Sequence, residues 1–191
     1  MNVNQSFSGI DIIMGPMFSG KTTELCRRLN ILQTLGLKCV YINSDIDNRS
    51  INNFSTHNKM LNKISFDSYK MSEIYPLKQI GMKYDVIGID EVQFFDNILD
   101  TILELVEKNG KKIIVSGLNG DSNRNLFGEM HLLIPYSDNI SKIDSYCVKC
   151  YRQGTQRHGI FSQKEIENNE IVTVGGSDKY IAVCRECYRN E

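Results

Sequence analysis

Gly15-Pro16-Met17-Phe18-Ser19-Gly20-Lys21-Thr22 follows the apolar run Ile10-Asp11-Ile12-Ile13-Met14 and precedes an amphipathic stretch. It meets the pattern G-x-x-x-x-G-K-S/T at every fixed position. It also has the strand before and the helix after that give the pattern meaning. Gly15 and Gly20 allow backbone N–H groups to curl around phosphate oxygens. The helix opening at Lys21 turns the positive end of its dipole toward the same anion. In such loops the lysine, here Lys21, reaches the β- and γ-phosphates, and the hydroxyl of Thr22 is a Mg²⁺ ligand. A chance glycine-rich turn is the bland alternative, and it does not account for the flanking elements.

Working outward, Leu25, Leu29 and Leu32 stand at i, i+4 and i+7, which predicts a helix over 22–35. Gly36 falls where a left-handed cap belongs. Lys38 to Asn43 contains Cys-Val-Tyr-Ile and reads as a second strand. Strand, helix, strand implies an α/β protein with parallel strands. Residues 44–70 are polar without a clean period and read as a mostly irregular excursion. Pro76 limits any helix around 71–80 to short pieces. Val86 to Ile89 is a strand, and Ile98, Ile102, Leu105 and Val106 mark a helix closed by Asn109-Gly110. Lys112 to Leu118 is a further strand, and 119–130 is a loop rich in Gly, Asn and Ser.

The strand at 86–89 ends in Asp90-Glu91. In an open parallel sheet the strand C-termini line the ligand crevice. Two adjacent carboxylates there invite a division of labour. Asp90 supports Mg²⁺ together with Thr22, and Glu91 takes the proton of an attacking group. The alternative is a solvated acidic pair at a strand end.

Composition narrows the classes. Of 191 residues, 41% are hydrophobic and 24% charged, so the chain is not disordered. Lys+Arg at 22 against Asp+Glu at 23 leaves a net charge of −1, which argues against nucleic acid as a partner. No apolar run reaches membrane-spanning length. Met1 to Gly9 lacks the basic and apolar regions of a signal peptide, and a cytoplasmic location is expected.

Six cysteines without such a signal suggest a reducing compartment. Four form two Cys-x-x-Cys pairs, Cys147/Cys150 and Cys184/Cys187, the pair spacing of structural Zn²⁺ knuckles. Four protein ligands close the coordination shell, so this metal is structural. A redox pair is the rival reading. Helical periodicity disappears near residue 145, which divides the chain into a nucleotide-binding domain at 1–144 and a zinc-binding lobe at 145–191. Zinc there would tether both ends of the polar segment 151–183. Cys26 and Cys39 read as small buried hydrophobes.

Taken together, Gly-Pro-Met-Phe-Ser-Gly-Lys-Thr at 15–22, Ile-Asp-Glu-x-Gln-Phe-Phe at 89–95, the cysteine pairs, and Gly-Gly-x-Asp-Lys-Tyr at 175–180 resemble the cytosolic type II thymidine kinases. The resemblance runs from about residue 9 to 188. It implies a P-loop NTPase-like parallel sheet flanked by helices, with a small C-terminal zinc-binding lobe carrying a lasso loop over the nucleoside. It also implies transfer of the ATP γ-phosphoryl group to the 5′-hydroxyl of thymidine, with Mg²⁺ accompanying ATP. By this resemblance Glu91 is the general base. Gln93 contacts the nucleotide, and Asp47, Asn48 and Arg49 belong to a segment contacting ATP. Phe94 is a wall of the thymidine pocket, and Ser122 and Phe127 lie in a loop beside it. Backbone atoms of Ile171, Val172, Thr173, Val174 and Gly175 bond the thymine edges, and Tyr180 contacts the nucleoside. A homotetramer inhibited by thymidine triphosphate is also implied.

Departures occur in two segments, the loop 118–128 and the start of the lasso. Asn119 replaces an aspartate of the family loop, and Ser122 replaces an aromatic residue. The lasso also starts about two residues short, with Thr155 and Arg157 aligned to the family's Thr-x-Arg. Both touch the nucleoside side and leave the phosphate loop intact. A P-loop ATPase whose zinc lobe docks a macromolecule is the competing class, and a lapsed homologue is the third.

Overall fold

The computed structural model describes residues 7–46, 66–165 and 180–189. Ile10, Ile12 and Ile13 are all buried, so strand β1 (Gly9–Gly15) is covered on both faces. The same holds for β2 (Cys39–Ser44), whose six residues are all buried. Between them lies helix α1 (Lys21–Thr34). Strand β3 (Asp67–Met71), a four-residue helix α2 (Leu77–Ile80) just after Pro76, and β4 (Val86–Ile89) follow. Next come α3 (Ile98–Leu103), β5 (Lys112–Leu118) and β6 (Asn139–Lys142). Helix α3 continues through a π-helical turn at Glu104–Lys108.

These strands form one sheet in the order β3-β2-β4-β5-β1-β6. The β3/β2, β2/β4 and β4/β5 pairs are parallel, with Val40 opposite both Asp67 and Ile87, and Ile87 opposite Ile113. Continuous apolar strands are what a sheet covered on both faces requires. Helix α1 buries Leu25, Cys26 and Leu29. It lies so close to β4 that a Cβ at Gly88 would stand 2.6 Å from Leu29 Cδ1. It ends as expected at Gly36, φ +89°, where Leu37 N–H donates to the Leu32 carbonyl at 3.2 Å.

Two strands depart from the sequence reading. β3 begins inside the stretch 44–70 that reads as mostly irregular and ends at Met71, and β6 has no counterpart in the sequence reading. They are the two edges of the sheet. An edge strand needs little apolar surface and gains from polar residues that discourage further pairing. In β3 only Met71 is buried, and β6 buries none of its residues.

Beyond Lys142 the elements are short. β7 (Ser145–Tyr146) pairs antiparallel with β8 (His158–Gly159), and β9 (Phe161–Lys164) with β10 (Tyr180–Val183). Helices α4 (Val148–Arg152) and α5 (Arg185–Arg189) each begin inside a Cys-x-x-Cys pair. Five residues cannot display a helical period, so neither helix is visible as a pattern in the sequence.

The chain divides into two compact units. The first holds the chain before Gly15, Lys21–Gly117 and Gly128–Ser141. The second holds Gly15–Gly20, Leu118–Phe127 and the chain from Lys142 on.

Candidate active site

In the first unit the site is built at the C-terminal end of β4. Asp90 is fully buried, and its carboxylate gathers three hydroxyls. Tyr41 Oη, from β2, donates to Oδ2 at 2.7 Å, and Ser116 Oγ, from β5, donates to Oδ1. The Thr22 hydroxyl bonds the same carboxylate. Glu91 N–H adds a further bond to Oδ1 at 3.0 Å. The order β2-β4-β5 explains the convergence, since the strands on either side of β4 each supply one donor. Burial pushes the Asp90 pKa up, and the neighbouring Glu91 charge adds to that. The hydroxyl bonds pull the other way. Burial, followed by the Asp90 charge, likewise holds the Tyr41 phenol well above its ordinary value.

Glu91 takes left-handed backbone angles, φ 49° and ψ 42°, and is 6% exposed. A residue with a Cβ keeps such a conformation only where its surroundings hold it. Here Val92–Phe94 form a 3-10 turn behind it, and Gln93 Nε2 donates to Glu91 Oε2 at 2.6 Å. Two glycines make room for Gln93. A Cβ at Gly117 would meet its Oε1 at 2.7 Å, and one at Gly128 would meet its carbonyl oxygen at 2.3 Å. Gln93, expected as a nucleotide contact, therefore also holds the Glu91 carboxylate. Phe94 is half-buried, while its neighbour Phe95 belongs to the core. Lys21 is buried and Thr22 half-buried at the start of α1.

In the second unit the loop Gly15–Gly20 is shaped by specific bonds. Met17 N–H donates to Ser162 Oγ at 2.9 Å, and Ser19 Oγ donates to the Pro16 carbonyl at 2.9 Å. Phe18 at φ 62° and Gly20 at φ +84° make the turn, and Phe18 is exposed. A Cβ at Gly15 would lie 2.2 Å from the Ile143 carbonyl oxygen, so this glycine is required by close packing. Ser122, Phe127 and Tyr180 are half-buried. Asp47, Asn48, Arg49 and Ile171 to Gly175 lie outside the described residues.

The four cysteines come together. The Sγ atoms of Cys147, Cys150, Cys184 and Cys187 all lie within 4.8 Å of one another. Cys150 Sγ is 3.8 Å from Cys184 Sγ and 3.5 Å from Cys187 Sγ. A tetrahedral zinc with Zn–S of about 2.3 Å sets its sulfurs about 3.8 Å apart, so the donor set fits that ion. Within each pair an N–H faces the first sulfur, Cys150 N to Cys147 Sγ at 3.5 Å and Cys187 N to Cys184 Sγ at 3.4 Å. Burial opposes ionisation of Cys184, yet hydrogen bonds led by those from Cys187 bring its pKa down to about 7. Burial drives Cys26 up to about 12, consistent with an inert core thiol.

Tyr41, Ser116 and Ser162 were not singled out in the sequence. The signal for Ser116 was available: a lone hydroxyl after Ile113-Ile114-Val115 in a doubly covered strand needs a partner.

A strand and glycine loop opening a Lys-Thr helix start, with a second strand ending in a hydroxyl-bonded aspartate, define a P-loop nucleotide-binding α/β protein. The pattern of the thymidine kinase family matches residues 8–188, and the chain belongs to that family. It is 43% identical to the thymidine kinase of Amsacta moorei entomopoxvirus, over 95% of this chain and 98% of that one. It is 40% identical to the thymidine kinase of Fowlpox virus, over 96% and 98%. With the cytosolic thymidine kinase of Cricetulus griseus it shares 36% identity over 94% of this chain and 72% of the relative.

Proposed function

We propose that this protein transfers the γ-phosphoryl group of ATP to the 5′-hydroxyl of thymidine, giving thymidine monophosphate and ADP. The observation that carries the mechanism is the buried Glu91 carboxylate, fixed by Gln93 at the end of β4. The 5′-oxygen bonds to the γ-phosphorus as the bridge to the β-phosphate breaks. The 5′-hydroxyl proton passes to Glu91, and the bridging electrons leave with ADP. Gly15, Phe18, Ser19 and Gly20 offer backbone N–H groups to the phosphates; Pro16 has none, and the Met17 N–H is engaged by Ser162 Oγ. Lys21 neutralises the β/γ oxygens. Thr22 and Asp90 would hold the Mg²⁺ that neutralises the phosphates of ATP. Asp90 also fixes the Thr22 hydroxyl by direct hydrogen bond.

Asp47, Asn48, Arg49 and Gln93 complete the ATP contacts. Phe94, Ser122, Phe127, Tyr180 and the 171–175 backbone take the nucleoside. In functional terms 1–144 serves the nucleotide, and 145–191 is a zinc-held lobe whose segment 151–183 is the lasso. Family membership supports a homotetramer inhibited by thymidine triphosphate. It supports a cytoplasmic location too, one relative being named cytosolic. Among the described residues no helix is long and apolar enough to cross a membrane.

A screen of deoxynucleosides for ATP-dependent phosphorylation tests the reading. Thymidine should be phosphorylated best. A chain that phosphorylates another deoxynucleoside and ignores thymidine would contradict it.

A further inference from the structure

Tyr188 is the residue after Cys187, and its side chain leaves the cysteine cluster for a different loop. Its Oη donates to the carbonyl oxygen of Ser122 at 2.9 Å. The Arg124 guanidinium sits over the same ring at 4.4 Å, and 5.6 Å from the ring of Phe161. Phe161 and Tyr188 themselves pack with centroids 5.4 Å apart, and Arg185 covers Phe161 from 5.0 Å. Cations and rings thus alternate from loop 118–127 to the start of β9 and onto α5.

The loop has its own internal frame. The Asp121 carboxylate accepts from Asn123 N–H at 2.9 Å and from Asn125 N–H at 2.7 Å, and Arg124 N–H donates to the Asp121 carbonyl at 3.1 Å. Arg124 is left-handed, φ 65°. The frame closes the loop tip on itself, and the ring contacts fix where that tip lies. The nearer ring contact of Arg124 and the hydrogen bond to the Ser122 carbonyl both come from Tyr188. A cation over an aromatic face is attracted to its electron density, and the Arg stem adds apolar contact.

We infer that Arg124 and Tyr188 form a clamp that positions the Ser122 loop, and that this clamp, rather than a side chain at position 122, sets how tightly the nucleoside is held. Arg124 and Tyr188 are positioning residues in this scheme. The clamp's effect on substrate rests on the nucleoside reading above. Its effect on the loop does not. The serine leaves no aromatic face of its own at position 122, so the placement of its backbone carries more weight. Because Tyr188 adjoins a cysteine of the metal cluster, the knuckle is the fixed end of the clamp.

The experiment uses the full-length, zinc-loaded protein and the variants Arg124→Met, Arg124→Lys and Tyr188→Phe. Steady-state kinetics and amide hydrogen exchange over 119–126 are read side by side, with zinc content as a control for the fold. Arg124→Met should raise the thymidine KM about 2- to 5-fold, the worth of an exposed cation–ring contact. Tyr188→Phe should raise it about 5-fold by removing one hydrogen bond. The ATP KM, kcat and zinc content should stay near wild type. Exchange at Asn123 and Asn125 should quicken, and Arg124→Lys should recover part of both effects. Unchanged loop exchange in Arg124→Met and Tyr188→Phe overturns the clamp, as does a parallel shift of both KM values and kcat. Should the wild-type chain not phosphorylate thymidine, the functional reading fails, and the exchange result alone still decides whether the clamp exists.

Discussion

Asp90 and Ser122 are held by two different kinds of structure. Asp90 sits in the sheet with hydroxyls from Tyr41, Ser116 and Thr22 closing on a single carboxylate. Ser122 sits on a loop whose tip is held by the Tyr188 hydroxyl and by Arg124 over the Tyr188 and Phe161 rings. In the first region a lost partner orphans a buried polar group, so the geometry tolerates almost no change. In the second, each contact is small and partly wet, so the loop adjusts. The contrast assigns rate to the strand end and affinity to the loop, and substitutions should divide along that line.

Glu91→Gln should show the largest effect. The amide keeps the shape and the place beside Gln93, but it cannot accept the 5′-hydroxyl proton. A fall in kcat of about 10²- to 10⁴-fold is expected, with the ATP KM nearly unchanged. Near wild-type kcat would remove Glu91 from the base role and erase the contrast.

Ser122→Phe sharpens the comparison from the other side. Base–aromatic stacking is worth roughly 1–3 kcal/mol, about 5- to 150-fold in affinity. The thymidine KM should fall while the ATP KM holds. Loss of activity would mean that the space beside residue 122 is already filled.

Tyr41→Phe tests the rigidity claimed for the strand end. It keeps the ring and takes one donor from Asp90, with an expected loss of about 1–3 kcal/mol in denaturant unfolding. A neutral result would show that the network carries slack.

Glu24, in the first turn of α1, gives the smallest effect. Its bond to Arg27, reinforced by Arg28, lowers its pKa from 4.5 to about 2. The folded value lies below the unfolded one. The ion pairs therefore contribute above about pH 4.5, and that contribution is lost as pH falls toward 2. Such exposed pairs are worth about 0.2–1 kcal/mol. Wild type and Glu24→Gln should differ by that much in stability at pH 7 and converge near pH 2. A difference that persists at pH 2 would point to packing instead.

The sequence made some of this legible for physical reasons. The phosphate loop, Asp90-Glu91 and the cysteine pairs are local in the chain, so their spacing alone discloses them. Buried strands such as Val86–Ile89 and Lys112–Leu118 betray themselves by continuous apolar runs. Edge strands β3 and β6 do not, because one or both of their faces are wet. Tyr41 and Ser116 gain their meaning from the order β2-β4-β5, which no local pattern encodes. Gln93 stood inside a recognised motif, but its bond to Glu91 depends on a left-handed turn and on the space left by Gly117 and Gly128. The Arg124–Tyr188 contact joins residues more than sixty positions apart and leaves no trace in either local stretch.

ATP turnover by the purified chain, measured with and without thymidine, tests the central claim most directly. The account predicts that ADP forms at an appreciable rate only when thymidine is present, in step with thymidine monophosphate. ATP hydrolysis that proceeds without nucleoside and is unchanged by adding it would contradict the account and leave an ATPase in its place.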